Sequence, residues 1–340
     1  MWFLFILILV SAPGLTGLLL SAPRYKGPKS DHFDGKKFFT PGAEPPKGFG
    51  EVFKWMLNRK PGKWHKVEVK PLQKFELNPP GKGVRFVFIN HSSFLIQFAG
   101  FNILTDPVFY ERTSPFTFAG PKRMRPPGLS FSALPKIDLV ILSHNHYDHL
   151  DIGSLKNLGK RFNPKFMVPL GVEAYLKNHG LESTELDWFQ HQHFDKLKVM
   201  AVPAQHFSGR GTTDRDKTLW CGYYLTFQDY KLHFVGDTGY HPEIFKNIKE
   251  KAGSPDLSFI PIGAYKPRWF MSPVHVSPAK AVQIHQDLDS RQSVAMHFGT
   301  FPLADDGQDD PQTDLAKALS DNQIKQELFL IPEEGKIYEF

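Results

Sequence analysis

Three histidines and an aspartate follow directly on a short apolar run, and this arrangement constrains the chain more than any other feature. The apolar run covers residues 138–142, and the polar run SHNHYDH comes immediately after it. His144 and His146 are two residues apart, so at an extended strand end both side chains project to the same side. Imidazole and carboxylate are ligands that Zn²⁺ favours. The pattern predicts a metal site, where Asp148 and His149 could address a second ion, and a His-rich surface loop is the alternative.

Further candidate ligands stand after three other short apolar runs. The runs cover residues 197–203, 231–235 and 293–296, and the polar residues that follow them are His206, Asp237 and His297. Such runs predict strands that deliver functional residues to one rim of a sheet. Each histidine taken singly is more simply explained as a structural residue, but together with the first cluster they predict one metal centre. His91, in an earlier strand-like run, either orients this centre or is structural.

These residues occur in the order H-x-H-x-D-H, then a lone His, a lone Asp and a final His. This order resembles the metallo-β-lactamase fold superfamily over roughly residues 84–335. The resemblance implies an α/β fold of the αββα sandwich type, with two face-to-face β-sheets and outer helices. It also implies two zinc ions per chain. The first ion would be held by His144, His146 and His206, the second by Asp148, His149 and His297, and Asp237 would bridge the two.

Five segments give a narrower resemblance. They are residues 105–109 (TDPVF), 114–115 with 120–123 (SP and GPKR), 143–151 (SHNHYDHLD), 236–240 (GDTGY) and 260–271 (IPIGAYKPRWFM). Together they are similar to the N-acyl-phosphatidylethanolamine-hydrolysing phospholipase D family. The last segment is the most specific, because membership of the superfamily does not require it. Two positions depart from the family pattern: Lys266 stands where an acid is usual, and Val274 stands where a Gln precedes the histidine that matches His275.

The narrower resemblance implies a phospholipase D type phosphodiesterase that converts a membrane phospholipid, N-acyl-phosphatidylethanolamine, into an N-acylethanolamine and phosphatidic acid. Hydroxide shared by two metal ions would attack phosphorus. Asp148 or Asp237 would accept or orient the proton of the water, and His275 would donate to a phosphoryl oxygen or to the leaving group. Residues near the site are candidate substrate contacts, and core packing is the alternative for Trp269, Phe270 and Met271. The candidate contacts are Tyr265, Arg268, Trp269, Phe270 and Met271.

Three other functions are compatible with the sequence. One is another hydrolase of the same superfamily, such as a soluble phosphodiesterase or a lactonase. A nuclease is disfavoured, and no nucleic-acid partner is expected, because the basic patches are scattered and no nucleic-acid-binding module is recognisable. A non-catalytic, membrane-tethered binding protein is the third alternative, and the complete set of metal ligands argues against it.

The chain begins with an apolar segment. Residues 2–22 carry no charge, and this length is close to the ~20 apolar residues that span a bilayer. The segment lacks the positive start of a signal peptide, and Ala22 is followed by Pro23, a poor start for a mature chain. A membrane anchor over residues 1–23 is therefore favoured over a cleaved signal. Three basic residues follow at once, and the positive-inside tendency would place the catalytic domain on the cytoplasmic side.

Residues 24–83 form a basic extension that is too aromatic for a simple linker. One interpretation is that the extension packs on the catalytic domain at residues 84–340. The other is that it rests on an anionic lipid surface, where aromatic and basic side chains are both favoured. The net charge of +6 is compatible with an anionic partner.

Length and cysteine content agree with one catalytic domain. A chain of 340 residues that is 41% hydrophobic can bury a sizeable core. The single cysteine, Cys221, excludes an intramolecular disulfide and a cysteine-based zinc site. A homodimer is compatible with the sequence.

Overall fold

Two seven-stranded sheets dominate the part of the chain that a computed structural model describes, which is residue 17, residues 20–72 and residues 83–340. The first sheet has the order β14-β1-β2-β3-β4-β5-β6 and the second the order β13-β12-β11-β10-β9-β8-β7. The strands of the first sheet are β1 (Val84–Asn90), β2 (Ser93–Phe98), β3 (Phe101–Thr105), β4 (Leu139–Ile141), β5 (Lys165–Pro169), β6 (Thr184–Leu186) and β14 (Ile337–Glu339). Those of the second sheet are β7 (His191–Phe194), β8 (Leu197–Val202), β9 (Gly222–Phe227), β10 (Tyr230–Phe234), β11 (Leu257–Pro261), β12 (Gln292–Met296) and β13 (Phe329–Leu330).

Helices accompany both sheets. In the described residues they are α1 (Phe49–Leu57), α2 (Ile152–Phe162), α3 (Val172–Lys177), α4 (Pro242–Ala252), α5 (Arg268–Met271), α6 (Pro278–Asp287) and α7 (Asp310–Asp321), with single 3₁₀ turns at Phe131–Ala133 and Gln326–Leu328. Helices α2 and α3 share one apolar cluster with the first sheet. Helices α4, α6 and α7 pack into the larger cluster that contains the second sheet.

Strand β1 shows how the sequence divides its side chains between two apolar clusters. Phe86 belongs to the cluster between the sheets, where its ring lies 5.3 Å from that of Phe259 in the second sheet. Val87 and Ile89 belong to the cluster beneath helices α2 and α3. Successive side chains of a strand point to opposite faces, so a strand with apolar residues on both faces must be covered on both sides. The αββα sandwich expected from the sequence is confirmed.

The four apolar runs that precede the candidate ligands are strands β4, β8, β10 and β12, as predicted. Strands β10, β11 and β12 are parallel neighbours, and β4 lies between two parallel neighbours in the first sheet. The carboxyl ends of parallel strands meet at the same edge of a sheet, and residues that follow these strands are therefore brought to a shared rim.

The predicted anchor, residues 1–23, lies mostly outside the described residues. Within the described part of the chain, no helix is long and apolar enough to cross a membrane. Ala22, at the end of the predicted anchor, is buried, and its backbone N–H donates to Asp214 Oδ2 at 2.8 Å. The end of this segment thus contacts the catalytic domain.

The described part of the extension packs along the sandwich. Phe33 and Phe38 are buried against Trp220 in a small apolar cluster. Further along, Arg59 Nε donates to Asp305 Oδ1 at 2.9 Å. The packing interpretation of the extension therefore holds for these residues, while α1 retains exposed apolar side chains.

Candidate metal centre

Seven buried or half-buried His and Asp side chains converge where strands β4, β8, β10 and β12 end. They are the seven predicted metal ligands: His144, His146, Asp148, His149, His206, Asp237 and His297. Each residue supplies one candidate ligand atom, and these atoms form overlapping groups of three or more. Within each group the atoms lie within 4.8 Å of one another. The structure thus brings together every predicted ligand, although they are separated by as many as 153 positions in the sequence (297 minus 144).

The first group consists of three imidazoles. His144 Nε2 lies 2.8 Å from His146 Nδ1, and His206 Nε2 lies 3.3 Å from the same atom. The other ring nitrogen of His206, Nδ1, is 2.9 Å from the backbone oxygen of Val274. A hydrogen bond at that nitrogen leaves Nε2 as a lone-pair donor towards the centre of the group.

The second group consists of Asp148, His149 and His297. The Nε2 atoms of His149 and His297 each lie 3.5 Å from Asp148 Oδ2. His297 has a positive φ of 58° and its backbone N–H donates to the oxygen of His91 at 2.7 Å. Strand β12 ends at Met296, so the change of backbone direction at His297 is what turns its ring towards the other ligands.

Asp237 lies between the two groups. Its Oδ2 is 3.0 Å from His297 Nε2, 3.1 Å from His149 Nε2 and 3.8 Å from His206 Nε2. One carboxylate thereby reaches imidazoles of both groups. This position fits the bridging role that the resemblance implied.

The electrostatics differ between the groups. Burial lowers the pKa of His146 to about 3 and that of His206 to about 4, so both rings are neutral at neutral pH, the form that binds metal. Burial also opposes a charge on His297, but Asp237 and Asp148 raise its pKa to about 9. The carboxylates therefore favour positive charge at the second group.

The donor set fits divalent metal ions. Buried ligand atoms of the centre, among them His149 Nε2, His297 Nε2 and Asp237 Oδ1, have no hydrogen-bond partner in the described part of the chain. Buried polar atoms without partners are costly, and cation coordination would satisfy them. Imidazole and carboxylate together suit zinc and other first-row divalent ions.

Asp106 orients ligands of both groups through hydrogen bonds. Its Oδ2 accepts a hydrogen bond from His149 Nδ1 at 2.7 Å and one from Ser143 Oγ at 2.6 Å. Ser143 Oγ is in turn 2.9 Å from His144 Nδ1. The role of Asp106 was missed in the sequence, although its signal is similar to that of Asp237: an acid at the end of a strand, here β3.

A cavity of about 310 Å³ opens onto the centre. Ligands His146, Asp148 and Asp237 line it together with His275, whose Nδ1 is 3.9 Å from Asp237 Oδ2. The other lining side chains are mostly apolar, with two basic residues among them: Pro46, Lys47, Val52, Trp55, Phe207, Arg215, Ala264, Phe270, Met271, Val274 and Leu303. The arrangement suits a molecule that combines a charged group with apolar chains.

Comparisons with known proteins agree with this geometry. A family model described as a beta-lactamase superfamily domain matches residues 101–298. N-acyl-phosphatidylethanolamine-hydrolyzing phospholipase D 1 of Caenorhabditis elegans is 37% identical over 271 residues, which are 76% of this chain and 76% of the worm protein. The chain belongs to the N-acyl-phosphatidylethanolamine-hydrolysing phospholipase D family.

Two further relatives extend this comparison. The mitochondrial N-acyl-phosphatidylethanolamine-hydrolyzing phospholipase D of Saccharomyces cerevisiae is 37% identical over 212 residues, which are 60% of this chain but 45% of the yeast protein. Igni18, a metallo hydrolase of Ignicoccus hospitalis, shares the fold with a TM-score of 0.59 at 23% identity, covering 76% of this chain and 99% of Igni18. This member of the phospholipase D family is thus a metal-dependent hydrolase with the metallo-β-lactamase fold.

The five substrate contacts predicted from the phospholipase D family segment lie in different places. Phe270 and Met271 line the cavity. Tyr265 is buried, and its hydroxyl donates to Asp314. Arg268 Nη1 donates to the backbone oxygen of His275 at 2.9 Å, and Trp269 is exposed at the surface. Only two of these side chains therefore reach the cavity, while Arg268 supports the backbone of His275.

His91 and the extension complete the site. His91 lies in the turn after β1, with φ of 49°, and not within a strand as expected from the sequence. Its Nε2 is 3.1 Å from Asp148 Oδ2, which favours the orienting interpretation over the structural one. Val52 and Trp55 of the extension were missed as cavity residues, because no local pattern indicates that a segment before β1 folds back over the site.

Proposed function

We propose that this chain is a zinc-dependent phosphodiesterase of phospholipase D type that hydrolyses N-acyl-phosphatidylethanolamine to an N-acylethanolamine and phosphatidic acid. The observation that carries the proposal is the position of the ligand cluster at the base of an apolar-walled cavity. Apolar walls suit acyl chains, and a cationic centre suits a phosphodiester. The names of the worm and yeast relatives support the same substrate.

Basic side chains in the cavity wall favour an anionic substrate or product. Arg215 and Lys47 both line the cavity, and Arg215 Nη2 donates to the backbone oxygen of Lys47 at 2.8 Å. The guanidinium of Arg215 also lies over the ring of Phe207, 5.3 Å from its centroid. These contacts hold a planar cation at the wall, where it can pair with phosphate oxygens.

The ligand residues prepare the site for attack on phosphorus. Two divalent ions held by the two groups would supply Lewis acidity and acidify a water molecule. Burial alone would raise the pKa of Asp148, but His149 and the neighbouring imidazoles hold it well below its usual value. An ionised Asp148 at the cavity surface can accept a hydrogen bond from the attacking water and orient it.

His275 is placed to assist departure of the alcohol. Its backbone N–H donates to the backbone oxygen of Met271, and Arg268 donates to its backbone oxygen, so the backbone that carries the imidazole is held at the cavity wall. Burial lowers the pKa of His275 well below its usual value, so the ring is a neutral hydrogen-bond donor at neutral pH. Such a donor stabilises charge on a phosphoryl oxygen or on the leaving ethanolamine oxygen.

The bond changes define a direct test. Water oxygen joins phosphorus, the bond from phosphorus to the ethanolamine oxygen breaks, and that oxygen takes up a proton. Purified protein should release N-acylethanolamine from N-acyl-phosphatidylethanolamine dispersed in detergent, and in ¹⁸O-water the label should appear in phosphatidic acid. Product masses and label position are read by mass spectrometry, with the Asp237→Asn variant as the control.

Other outcomes would reassign the substrate. Label in the N-acylethanolamine would show attack at carbon and contradict the mechanism. Absence of turnover, combined with hydrolysis of a lactone or of a water-soluble phosphodiester by the same metal-loaded protein, would favour another hydrolase of the superfamily.

A further inference from the structure

The first group of imidazoles comes from two pieces of chain that lie far apart in the sequence. His144 and His146 belong to residues 144–150, which we call the ligand loop. His206 begins residues 206–216, which we call the His206 segment. The ligand loop follows strand β4 of the first sheet, and the His206 segment follows strand β8 of the second. Hydrogen bonds between neighbouring strands therefore do not fix the distance between these imidazoles.

Arg210 of the His206 segment joins the two pieces. The residue is buried, and its Nη1 donates to the backbone oxygens of Asn145 at 2.7 Å and Leu150 at 2.9 Å. Its guanidinium lies over two rings, 3.9 Å from the centroid of Tyr147 and 4.8 Å from that of Tyr175. The hydroxyl of Tyr147 donates to the backbone oxygen of Arg210 at 3.0 Å. One side chain thus contacts both ends and the middle of the ligand loop.

Asp214 fixes the turn from which Arg210 extends. The buried carboxylate of Asp214 accepts hydrogen bonds from the backbone N–H of Arg210 at 2.9 Å and from that of Gly211 at 2.8 Å. The backbone N–H of Gly209 donates to Asn145 Oδ1 at 2.8 Å, which joins the same turn to the ligand loop a second time. Side-chain hydrogen bonds to the backbone hold such turns in one conformation. Arg210 therefore projects from a fixed support.

The contacts of Arg210 are specific for a planar cation. A buried charge loses its hydration, so polar groups of the protein must replace the water. Carbonyl oxygens and the faces of aromatic rings do this for a guanidinium, which stacks on rings and donates several hydrogen bonds in one plane. A lysine ammonium is a compact, strongly hydrated charge without a planar face, so it would replace only part of these contacts.

We propose that Arg210 is a positioning residue of the metal centre: it holds the ligand loop against the His206 segment and so sets the positions of His144 and His146 relative to His206. Arg210 lies outside the set of residues that line the cavity, and a guanidinium is not a metal ligand. Its effect on bound metal therefore passes through the backbone of the ligand loop. Metal binding requires no substrate, so zinc measurements decide this assignment even if the proposed function fails.

The first experiment measures the affinity of the full chain for Zn²⁺ by competition with a fluorescent chelator. Arg210→Ala should lower this affinity by about 10- to 100-fold, the usual range for residues that support metal ligands. Methylguanidinium at millimolar concentration should restore part of the lost affinity, because it can lie over Tyr147 and Tyr175 and donate to the same carbonyl oxygens. Methylammonium should restore less, since it lacks the planar face.

Arg161 provides a matched control, because its guanidinium makes the same kinds of contact elsewhere. It donates to the backbone oxygens of Phe131 at 2.6 Å and Ser132 at 3.0 Å, and it lies 4.6 Å from the ring centroid of Phe162. None of these residues belongs to the ligand loop or to the His206 segment. Arg161→Ala should leave the zinc affinity unchanged. Equal losses of affinity in the two variants, or no loss in Arg210→Ala, would overturn the proposal.

The second experiment reads the geometry of the ligands directly. The visible absorption of bound Co²⁺ depends on the number and arrangement of its ligands, so the spectrum of the cobalt-loaded Arg210→Lys variant should differ from that of the unaltered protein. The cobalt-loaded Arg161→Lys variant should give the unaltered spectrum. If Arg210→Ala does not fold, Arg210→Lys decides the proposal: a changed cobalt spectrum supports it, and an unchanged one overturns it.

Discussion

At the scale of single residues, Asp237 is the point where the two ligand groups meet, with Oδ2 3.0 Å from His297 Nε2 and 3.8 Å from His206 Nε2. The Asp237→Asn variant should lose bound metal and fall to background turnover, because an amide is a weak ligand and cannot bridge two cations. Metal content by mass spectrometry and turnover are measured on the same sample. The control is Asp256→Asn, an acid outside the cluster that accepts from the backbone of Lys231. Full metal content with full activity would rule out the bridging role.

His275 should act on turnover without holding metal. In the His275→Ala variant we expect kcat to fall by about 10²- to 10³-fold, the usual cost of removing one donor to developing charge. Metal content should be unchanged, and His275→Asn, which keeps a donor, should recover part of the rate. Because His275 lies within ligand distance of His206 and Asp237, loss of metal from His275→Ala would identify it as a ligand. Unchanged kinetics would make it structural.

Asp106 should act on metal affinity through the ligands it orients. The Asp106→Asn variant weakens the hydrogen bonds to His149 Nδ1 and to Ser143. We expect metal affinity to fall by about 10- to 100-fold, as for other residues that support metal ligands, and activity to return when excess metal is supplied. Competition with a fluorescent chelator gives the affinity. An unchanged affinity would show that packing alone fixes the orientation of His149.

At the scale of secondary-structure elements, α1 should shape the part of the cavity that receives apolar chains. Trp55→Ala removes part of the apolar cavity wall and the ring that stacks on Phe270. Each buried methylene group of a substrate chain is worth about 0.8 kcal/mol, so KM for a long-chain substrate should rise by up to roughly tenfold. Metal content should not change, and Trp55→Phe should largely preserve KM. Kinetics with long-chain and short-chain substrates test the expectation, and equal effects on both chain lengths would contradict it.

The strands that carry ligands could be predicted from the sequence, whereas the part of the cavity wall formed by α1 could not. Strands β4, β8, β10 and β12 are apolar runs that end beside His or Asp, so local pattern and chemistry coincide. The contact of Trp55 with Phe270 joins residues 215 positions apart (270 minus 55), and no periodicity marks it. His91 was placed in a strand because its neighbours are apolar, but its positive φ turns the chain there.

At the scale of the whole molecule, the excess positive charge and the metal ligands lie in different parts of the chain. The sandwich is close to neutral and bears the metal ligands, while residues 24–72 carry the positive charge and one wall of the cavity. The described part of the extension thus packs on the domain, while α1 keeps exposed apolar side chains.

Titration of the metal-stripped protein with Zn²⁺ tests the central claim most directly. Bound metal and turnover of N-acyl-phosphatidylethanolamine are measured at each step. The two ligand groups joined by Asp237 predict that turnover rises with occupancy and reaches its maximum at two zinc ions per chain. Full turnover by protein that is demonstrably free of metal would contradict the account.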